Sequence, residues 1–162
     1  MTTIAVYRVV LDTNTIIGAG SRWLADEQCR PATLLQRIVY AVANANIGLY
    51  CQEILEEYVE LLVRQKHPPE RIAIYTAFIM ELFTRVTVTS TTCHTTPSDP
   101  DDLVFILCAL DGDADILVSD DKQVLAVRGS YEPRPAILPA FEAHVRLCSE
   151  SFASIRDEEV ST

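Results

Sequence analysis

The chain has 162 residues, of which 49% are hydrophobic, enough to close one core but too few for two full domains. Its 23 acidic and 13 basic residues give a net charge of −10, which disfavours a protein that holds nucleic acid through bulk positive charge but leaves cation binding open. No apolar stretch approaches the roughly 20 residues of a membrane span, and the N-terminal residues lack a signal peptide, so we expect a cytoplasmic protein without a membrane partner.

Predicted strands and helices alternate along the chain. Residues 6–11 are apolar except for Arg8, which is typical of a central strand buried on both faces. A loop at 18–30 leads to Pro31, a residue suited to a helical first turn, and to apolar residues at helical spacing as far as Val42. Further strands are predicted at 47–50, 86–89, 115–119 and 136–138. Further helices are predicted at 52–64, 71–83, 99–110, 122–127 and 139–148, the third of these starting with Asp99 as its cap and Pro100 in its first turn.

This alternation predicts right-handed crossovers and a three-layer α/β sandwich, with a mostly parallel five-stranded sheet flanked by helices. No internal repeat or low-complexity linker divides the chain. Residues 1–149 are therefore expected to form a single domain, and residues 150–162 a flexible C-terminal tail.

The acidic residues are unevenly distributed. Eight aspartates and no Lys or Arg occur between residues 99 and 121: Asp99, Asp101, Asp102, Asp111, Asp113, Asp115, Asp120 and Asp121. The same stretch contains two strongly apolar runs, so it folds rather than forming a solvated acidic tail. Asp111, Asp113 and Asp115 surround the turn into the fourth strand and are expected to be surface charges.

Other acidic residues are predicted to share one edge of the sheet. Asp12 follows the first strand, and the pair Asp120 and Asp121 follows the fourth. Acidic pairs also open the helix before the fourth strand and lie early in the helix after the second: Asp101 with Asp102, and Glu53 with Glu57. Because the carboxyl ends of parallel strands meet at the same edge, carboxylates from four distant segments can converge there.

Converging carboxylates repel one another unless they take up protons, pair with bases or hold a hard cation. A cluster that offers only oxygen ligands, without His or Cys, favours Mg²⁺ or Mn²⁺ over zinc. Such ions usually keep waters and bind substrate phosphate. Hydrolysis of a phosphodiester bond by a metal-activated water is the reaction class that this chemistry indicates.

Four segments of the chain resemble the PIN-domain family, close to its toxin components of bacterial toxin–antitoxin pairs. They are residues 9–14 (VVLDTN), 53–58 (EILEEY), 99–102 (DPDD) and 114–122 (ADILVSDDK), with a weaker echo at 136–141 (AILPAF). The resemblance covers nearly the whole chain. Two departures are Asp120, where the family often has Gly, and Gln123, where it often has Asp. The loop at 18–30 is also longer than the compact family pattern.

The resemblance implies a divalent-metal ribonuclease whose site lies at the first strand, the helix after the second, the helix before the fourth, and the end of the fourth. Carried over residue by residue, these positions correspond to four acidic catalytic and metal-binding residues: Asp12, Glu57, Asp102 and Asp121. Asn14 and Ser119 correspond to its supporting polar positions. Alternatives remain open for three of the four acids, namely Glu53 for Glu57, Asp101 for Asp102 and Asp120 for Asp121.

The sequence therefore predicts an endoribonuclease that hydrolyses RNA with Mg²⁺ or Mn²⁺ and acts as the toxin of a toxin–antitoxin pair. Its expected partners are RNA, a small antitoxin that covers the acidic crevice with an Arg or Lys, and a second copy of the chain. Leu61, Leu62 or the helix at 71–83 would supply the dimer patch. The alternatives are a non-catalytic PIN-like binding module or a PIN nuclease outside a toxin–antitoxin system. An aspartyl-nucleophile hydrolase is disfavoured because Asn14 stands where a second Asp is needed.

Overall fold

The structure is a computed structural model that describes residues 5–20 and 30–148. Its strands are β1 (Arg8–Leu11), β2 (Ile47–Tyr50), β3 (Thr84–Arg85), β4 (Ile116–Val118) and β5 (Ala136–Leu138). Its α-helices are α1 (Thr13–Gly18), α2 (Leu34–Ala45), α3 (Gln52–Arg64), α4 (Pro69–Leu82), α5 (Leu103–Asp111), α6 (Lys122–Ala126) and α7 (140–148). Two 3-10 turns at Pro100–Asp102 and Arg128–Ser130 complete the described elements.

The five strands form one all-parallel sheet in the order β3-β2-β1-β4-β5. At its centre, Val10 of β1 is paired with Leu49 of β2 on one side and with Leu117 of β4 on the other. All three side chains are fully buried, as are those of Val9 and Leu11. Because successive side chains of a strand point to opposite faces, both faces of the sheet are covered, which confirms the three-layer α/β prediction.

β1 and β4 are neighbours in the sheet, and the chain continues from β1 to β2 on one side and from β4 to β5 on the other side. The direction of strand order therefore reverses between β1 and β4, whose carboxyl ends lie side by side. Ligands bind at such switch points in open α/β sheets. The backbone N–H of Asp12 donates to Val118 O at 3.0 Å, which extends the pairing of the two strands to their ends. None of the helices within residues 5–20 and 30–148 is long and apolar enough to cross a bilayer.

Helix α1 is absent from the elements predicted from the sequence. The Asp12 side chain accepts a hydrogen bond from Thr15 N and so caps a short helix that starts at Thr13. The prediction of a loop at 18–30 is otherwise untested, since residues 21–29 lie outside the described part of the chain, as does the predicted tail at 150–162. Helix α2 begins later than predicted, because Thr33 and Gln36 form a reciprocal capping box that leaves Pro31 outside the helix.

The third strand lies at Thr84–Arg85 rather than at the predicted 86–89. Val86 N still donates to Tyr50 O at 2.7 Å, but the backbone N–H groups of Thr89 and Ser90 donate to the Asp111 carboxylate. The Asp111 side chain, rather than a neighbouring strand, is thus the hydrogen-bond partner of these two N–H groups. A run of β-branched residues does not reveal such a partner.

Leu62 cannot contribute to a dimer patch, because its side chain is buried in the core, whereas the adjacent Val63 is exposed.

Candidate active site

Asp12 lies at the carboxyl end of β1 and is buried. Its Oδ1 accepts from Thr15 N at 2.7 Å, and its Oδ2 accepts from the Ser119 hydroxyl at 2.6 Å. Burial raises the pKa of the Asp12 carboxyl, and the hydrogen bonds from Ser119 and Thr15 oppose part of that rise. Both oxygens are therefore fixed in direction, and each retains a lone pair that a cation or water can use.

Ser119 joins the ends of β1 and β4. Its hydroxyl donates to Asp12 and accepts from Asp121 N at 3.0 Å, and its side chain is fully buried. Asp121 caps α6 through a bond of 2.7 Å from Gln123 N to its Oδ1. Ser119 thus orients both the carboxylate of Asp12 and the backbone of Asp121.

Glu57 is half-buried on α3, and its Oε1 accepts from the Thr13 hydroxyl at 2.5 Å. Burial is the main reason that the Glu57 pKa is raised, and the nearby charges of Asp101 and Asp12 add to it. The next residue, Tyr58, donates its buried hydroxyl to Leu11 O at 2.5 Å. These two bonds tie α3 to the start of α1 and to the end of β1, and they hold Glu57 close to Asp12.

Asp102 ends the 3-10 turn that precedes α5. Burial raises its pKa from 3.8 to about 6, with further contributions from the charges of Asp121, Asp99, Glu57 and Asp12. Its Oδ2 is buried and has no hydrogen-bond partner. The structure thus brings Asp102 within electrostatic reach of the other three predicted acids and leaves one of its oxygens unsatisfied.

The three alternative acids occupy different surroundings. Glu53 and Asp101 are exposed, although Asp101 is close enough to raise the pKa of Glu57. Asp120 accepts from Ala140 N at 2.8 Å and so supports the start of α7. Asp99 caps the 3-10 turn by accepting from Asp101 N, which confirms its predicted role.

Asn14, the other supporting residue, is exposed on α1 and lines a small pocket together with Glu57.

Sequence reasoning missed two residues that position the acids, Thr13 and Tyr58. A signal for Tyr58 was present, since a tyrosine on the apolar face of a helix needs an acceptor for its hydroxyl when buried. Thr13 follows Asp12 directly, but its bond to Glu57 spans 44 residues of sequence, so no local pattern indicates it.

The donor set fits a hard divalent cation, because it consists of carboxylate and hydroxyl oxygens and includes the unpartnered Asp102 Oδ2. Within the ranges that the structure describes, however, no three Asp, Glu, His or Cys side chains are gathered closely enough to form a ready-made metal cage. An ion that keeps several waters and touches one or two carboxylates, as Mg²⁺ usually does, is compatible with this spacing.

A parallel α/β sheet with acidic side chains beyond its carboxyl edge defines an α/β protein with a candidate site at the switch point of its sheet. A family model described as the PIN domain matches residues 8–123, well over half of the sequence. The chain belongs to the PIN-domain family, whose members are generally nucleases and typically use divalent metals. Comparison with curated proteins and with solved structures gives no significant match.

Proposed function

We propose that this protein is a divalent-metal-dependent endoribonuclease. Asp12, Glu57, Asp102 and Asp121 hold Mg²⁺ or Mn²⁺ directly or through water. The observation that carries the proposal is the buried, unpartnered Oδ2 of Asp102 amid three other carboxylates. A buried carboxylate oxygen without a donor is costly, and a cation offsets that cost. Asn14 and Ser119 support the site.

The protein's own groups have distinct tasks in this proposal. When bound, a divalent cation offsets the charge that develops on the phosphate and makes a water more acidic. Ser119 and Thr13 hold the carboxylates of Asp12 and Glu57 in fixed orientations, which reduces the rearrangement needed when substrate arrives. Burial and acidic neighbours raise the pKa of Asp102 to about 6 in the metal-free chain, and a cation bound beside it would lower that pKa and favour the ionised carboxylate.

The biological setting belongs to the same proposal. We expect one nuclease domain over residues 1–149, a cytoplasmic location, and a role as the toxin of a toxin–antitoxin pair. The partner would be a small antitoxin that inserts an Arg or Lys among the carboxylates, where the opposite charge is complementary. A homodimer would use the exposed apolar residues Ile74, Met80 and Leu82 of α4.

Cleavage of RNA by the purified chain with Mn²⁺ tests the proposal. Asp12→Asn should lower the cleavage rate about a hundredfold, because a charge within electrostatic reach of Glu57 and Asp102 is lost. Asp113→Asn is the matched control: Asp113 is exposed at the far end of β4 and has a φ of 53°, a conformation that Asn also tolerates. Equal cleavage by wild type and Asp12→Asn would refute the assignment.

The alternative function is a non-catalytic PIN-like module whose acids bind a basic partner. Loss of an acidic position would be typical of such a module, and Asp or Glu occupies all four predicted positions in this chain. Calorimetric titration separates the two functions, because the nuclease should bind Mn²⁺ with a signal that Asp102→Asn weakens. A wild-type chain that binds neither Mn²⁺ nor Mg²⁺ would favour the binding module.

A further inference from the structure

A small pocket opens beside Glu57 between α1 and α3. It has a volume of about 210 Å³ and is lined by Thr13, Asn14, Glu57, Glu60, Leu61 and Arg64. This is smaller than the roughly 300 to 1,000 Å³ of pockets that enclose a whole small molecule. The pocket therefore suits one ring-sized group of a larger ligand.

Helix α3 contributes a hydrogen-bond donor and a hydrogen-bond acceptor, side by side, to the lining of the pocket. Arg64 Nη2 lies 2.6 Å from Glu60 Oε1, and both side chains are about 70% exposed, at 70% and 69%. An exposed pair one helical turn apart is weakly held, so a ligand can replace either partner's bond. Leu61, half-buried between them, contributes an apolar surface.

The charge of the lining argues against phosphate as the group that enters. Two carboxylates, Glu57 and Glu60, outnumber the single guanidinium of Arg64 in the lining. An anion would meet net repulsion there, whereas a neutral ring with N–H donors and a carbonyl acceptor would satisfy both charged groups. A basic side chain from a protein partner could pair with Glu60 only by leaving Arg64 without that acceptor, whereas a ring that carries both donors and an acceptor serves both residues.

We propose that this pocket binds an unpaired nucleobase next to the phosphate that is cleaved, a proposal that rests on the ribonuclease function proposed above. Glu60 accepts from N–H groups on the Watson–Crick edge, Arg64 donates to the adjacent acceptor, and Leu61 packs against the ring. Proteins read single-stranded RNA through such edges. Guanine fits best, because its N1 and N2 offer two neighbouring donors to one carboxylate and its O6 faces the guanidinium.

Cleavage of matched, unstructured RNA oligonucleotides that differ only in the base beside the cleaved bond tests the pocket. Wild type with Mn²⁺ should prefer guanine, and Glu60→Gln and Arg64→Gln should each reduce that preference about tenfold, mainly through KM. Glu56→Gln is the matched control. It lies one turn earlier on the same helix, bonds to Gln52, and lines a different groove against α4.

A binding measurement separates this inference from the proposed function. Guanosine 5′-monophosphate, titrated with Mg²⁺ into the isotope-labelled full chain, should shift the amide NMR signals of Glu60, Leu61 and Arg64 more than uridine 5′-monophosphate does. If wild type cuts no RNA yet these signals move, the ribonuclease proposal fails and base binding by the pocket stands without its place beside a cleaved phosphate. If wild type cuts RNA and both variants keep its base preference, the pocket assignment is wrong and the ribonuclease stands. Shifts caused by Nα-acetyl-arginine amide but by neither nucleotide would also overturn it, in favour of a protein ligand.

Discussion

Replacing Asp102 with Asn should stabilise the metal-free protein at neutral pH. The Asp102 pKa rises from 3.8 to about 6 on folding, mainly through burial. The folded state therefore holds more protons than the unfolded state between pH 4 and 6, so stability falls as pH rises through this window. The full shift in pKa corresponds to a loss of about 3 kcal/mol of unfolding free energy, at about 1.36 kcal/mol per pKa unit. Because the residue is only half-buried, solvent screening reduces this to on the order of 1 kcal/mol.

Thermal unfolding in EDTA measures this effect. At pH 7.5, Asp102→Asn should melt about 2 to 4 °C above wild type, the shift that 1 kcal/mol produces in a domain of this size. The difference should shrink as the pH falls towards 4, where the carboxyl of the folded wild type is already protonated, and vanish only below the unfolded-state pKa of 3.8. Asp101→Asn is the control, because Asp101 is adjacent and exposed and its replacement should change stability by less than about 0.5 kcal/mol.

Adding Mn²⁺ should reverse the order of the two proteins. Binding to the folded state alone stabilises wild type by about 2.7 kcal/mol at a hundred times the Kd. Asp102→Asn has lost a proposed ligand and should gain less from the same concentration. An Asp102→Asn protein that is no more stable than wild type in EDTA at pH 7.5 would refute the reasoning, because the unpartnered carboxylate would then carry no cost.

Two further predictions rest on particular contacts and a third on the net charge. Ser119→Ala removes the buried bond to Asp12 and should cost about 1 to 3 kcal/mol of unfolding free energy in urea, so an unchanged midpoint would contradict the role of that bond. Gly48→Ala places a Cβ 2.6 Å from the Phe83 ring and should cost about 1 to 3 kcal/mol, whereas Gly129→Ala, with nothing within 4 Å, should be nearly neutral in the same assay. Without divalent cation the protein should bind RNA weakly in fluorescence anisotropy because of its charge of −10, and tight binding in EDTA at physiological salt would count against the metal-dependent site.

Much of the fold follows from local patterns in the sequence. The strands at 47–50 and 136–138 have the predicted bounds because short apolar runs there lie between clear helix signals. The parallel order follows from the alternation of strands and helices, since a parallel pair needs a crossover. The cap at Asp99 follows from an Asp-Pro pair before an apolar run.

Two elements differ from the sequence prediction, one because of a partner far along the chain and one because it is short. The strand predicted at 86–89 is interrupted because Asp111, more than 20 residues later, takes the backbone N–H groups of Thr89 and Ser90. Helix α1 has only six residues, too short for an apolar periodicity to stand out, and it depends on the cap from Asp12.

The positions of the candidate acids could be predicted, but their surroundings could not. The order of strands and helices along the chain predicts that four acids lie at one edge of a parallel sheet, namely Asp12, Glu57, Asp102 and Asp121. Tertiary contacts determine which donor each carboxylate oxygen bonds to. The hydrogen bond from Ser119 to Asp12, for example, spans 107 residues of sequence. The metal-binding role of these residues remains a prediction.

The acidic segment shows why a count of charges overstates the need for a cation. Six of its eight aspartates accept from a backbone N–H or pair with an arginine: Asp99, Asp111, Asp113, Asp115, Asp120 and Asp121. Such charges are already compensated within the fold. In the described part of the chain, the carboxylate oxygen that is buried without a partner is Asp102 Oδ2. That oxygen, rather than the net charge, therefore indicates a bound cation. Asp101→Asn and Asp102→Asn change the net charge equally, so a difference between them isolates the buried oxygen from the charge.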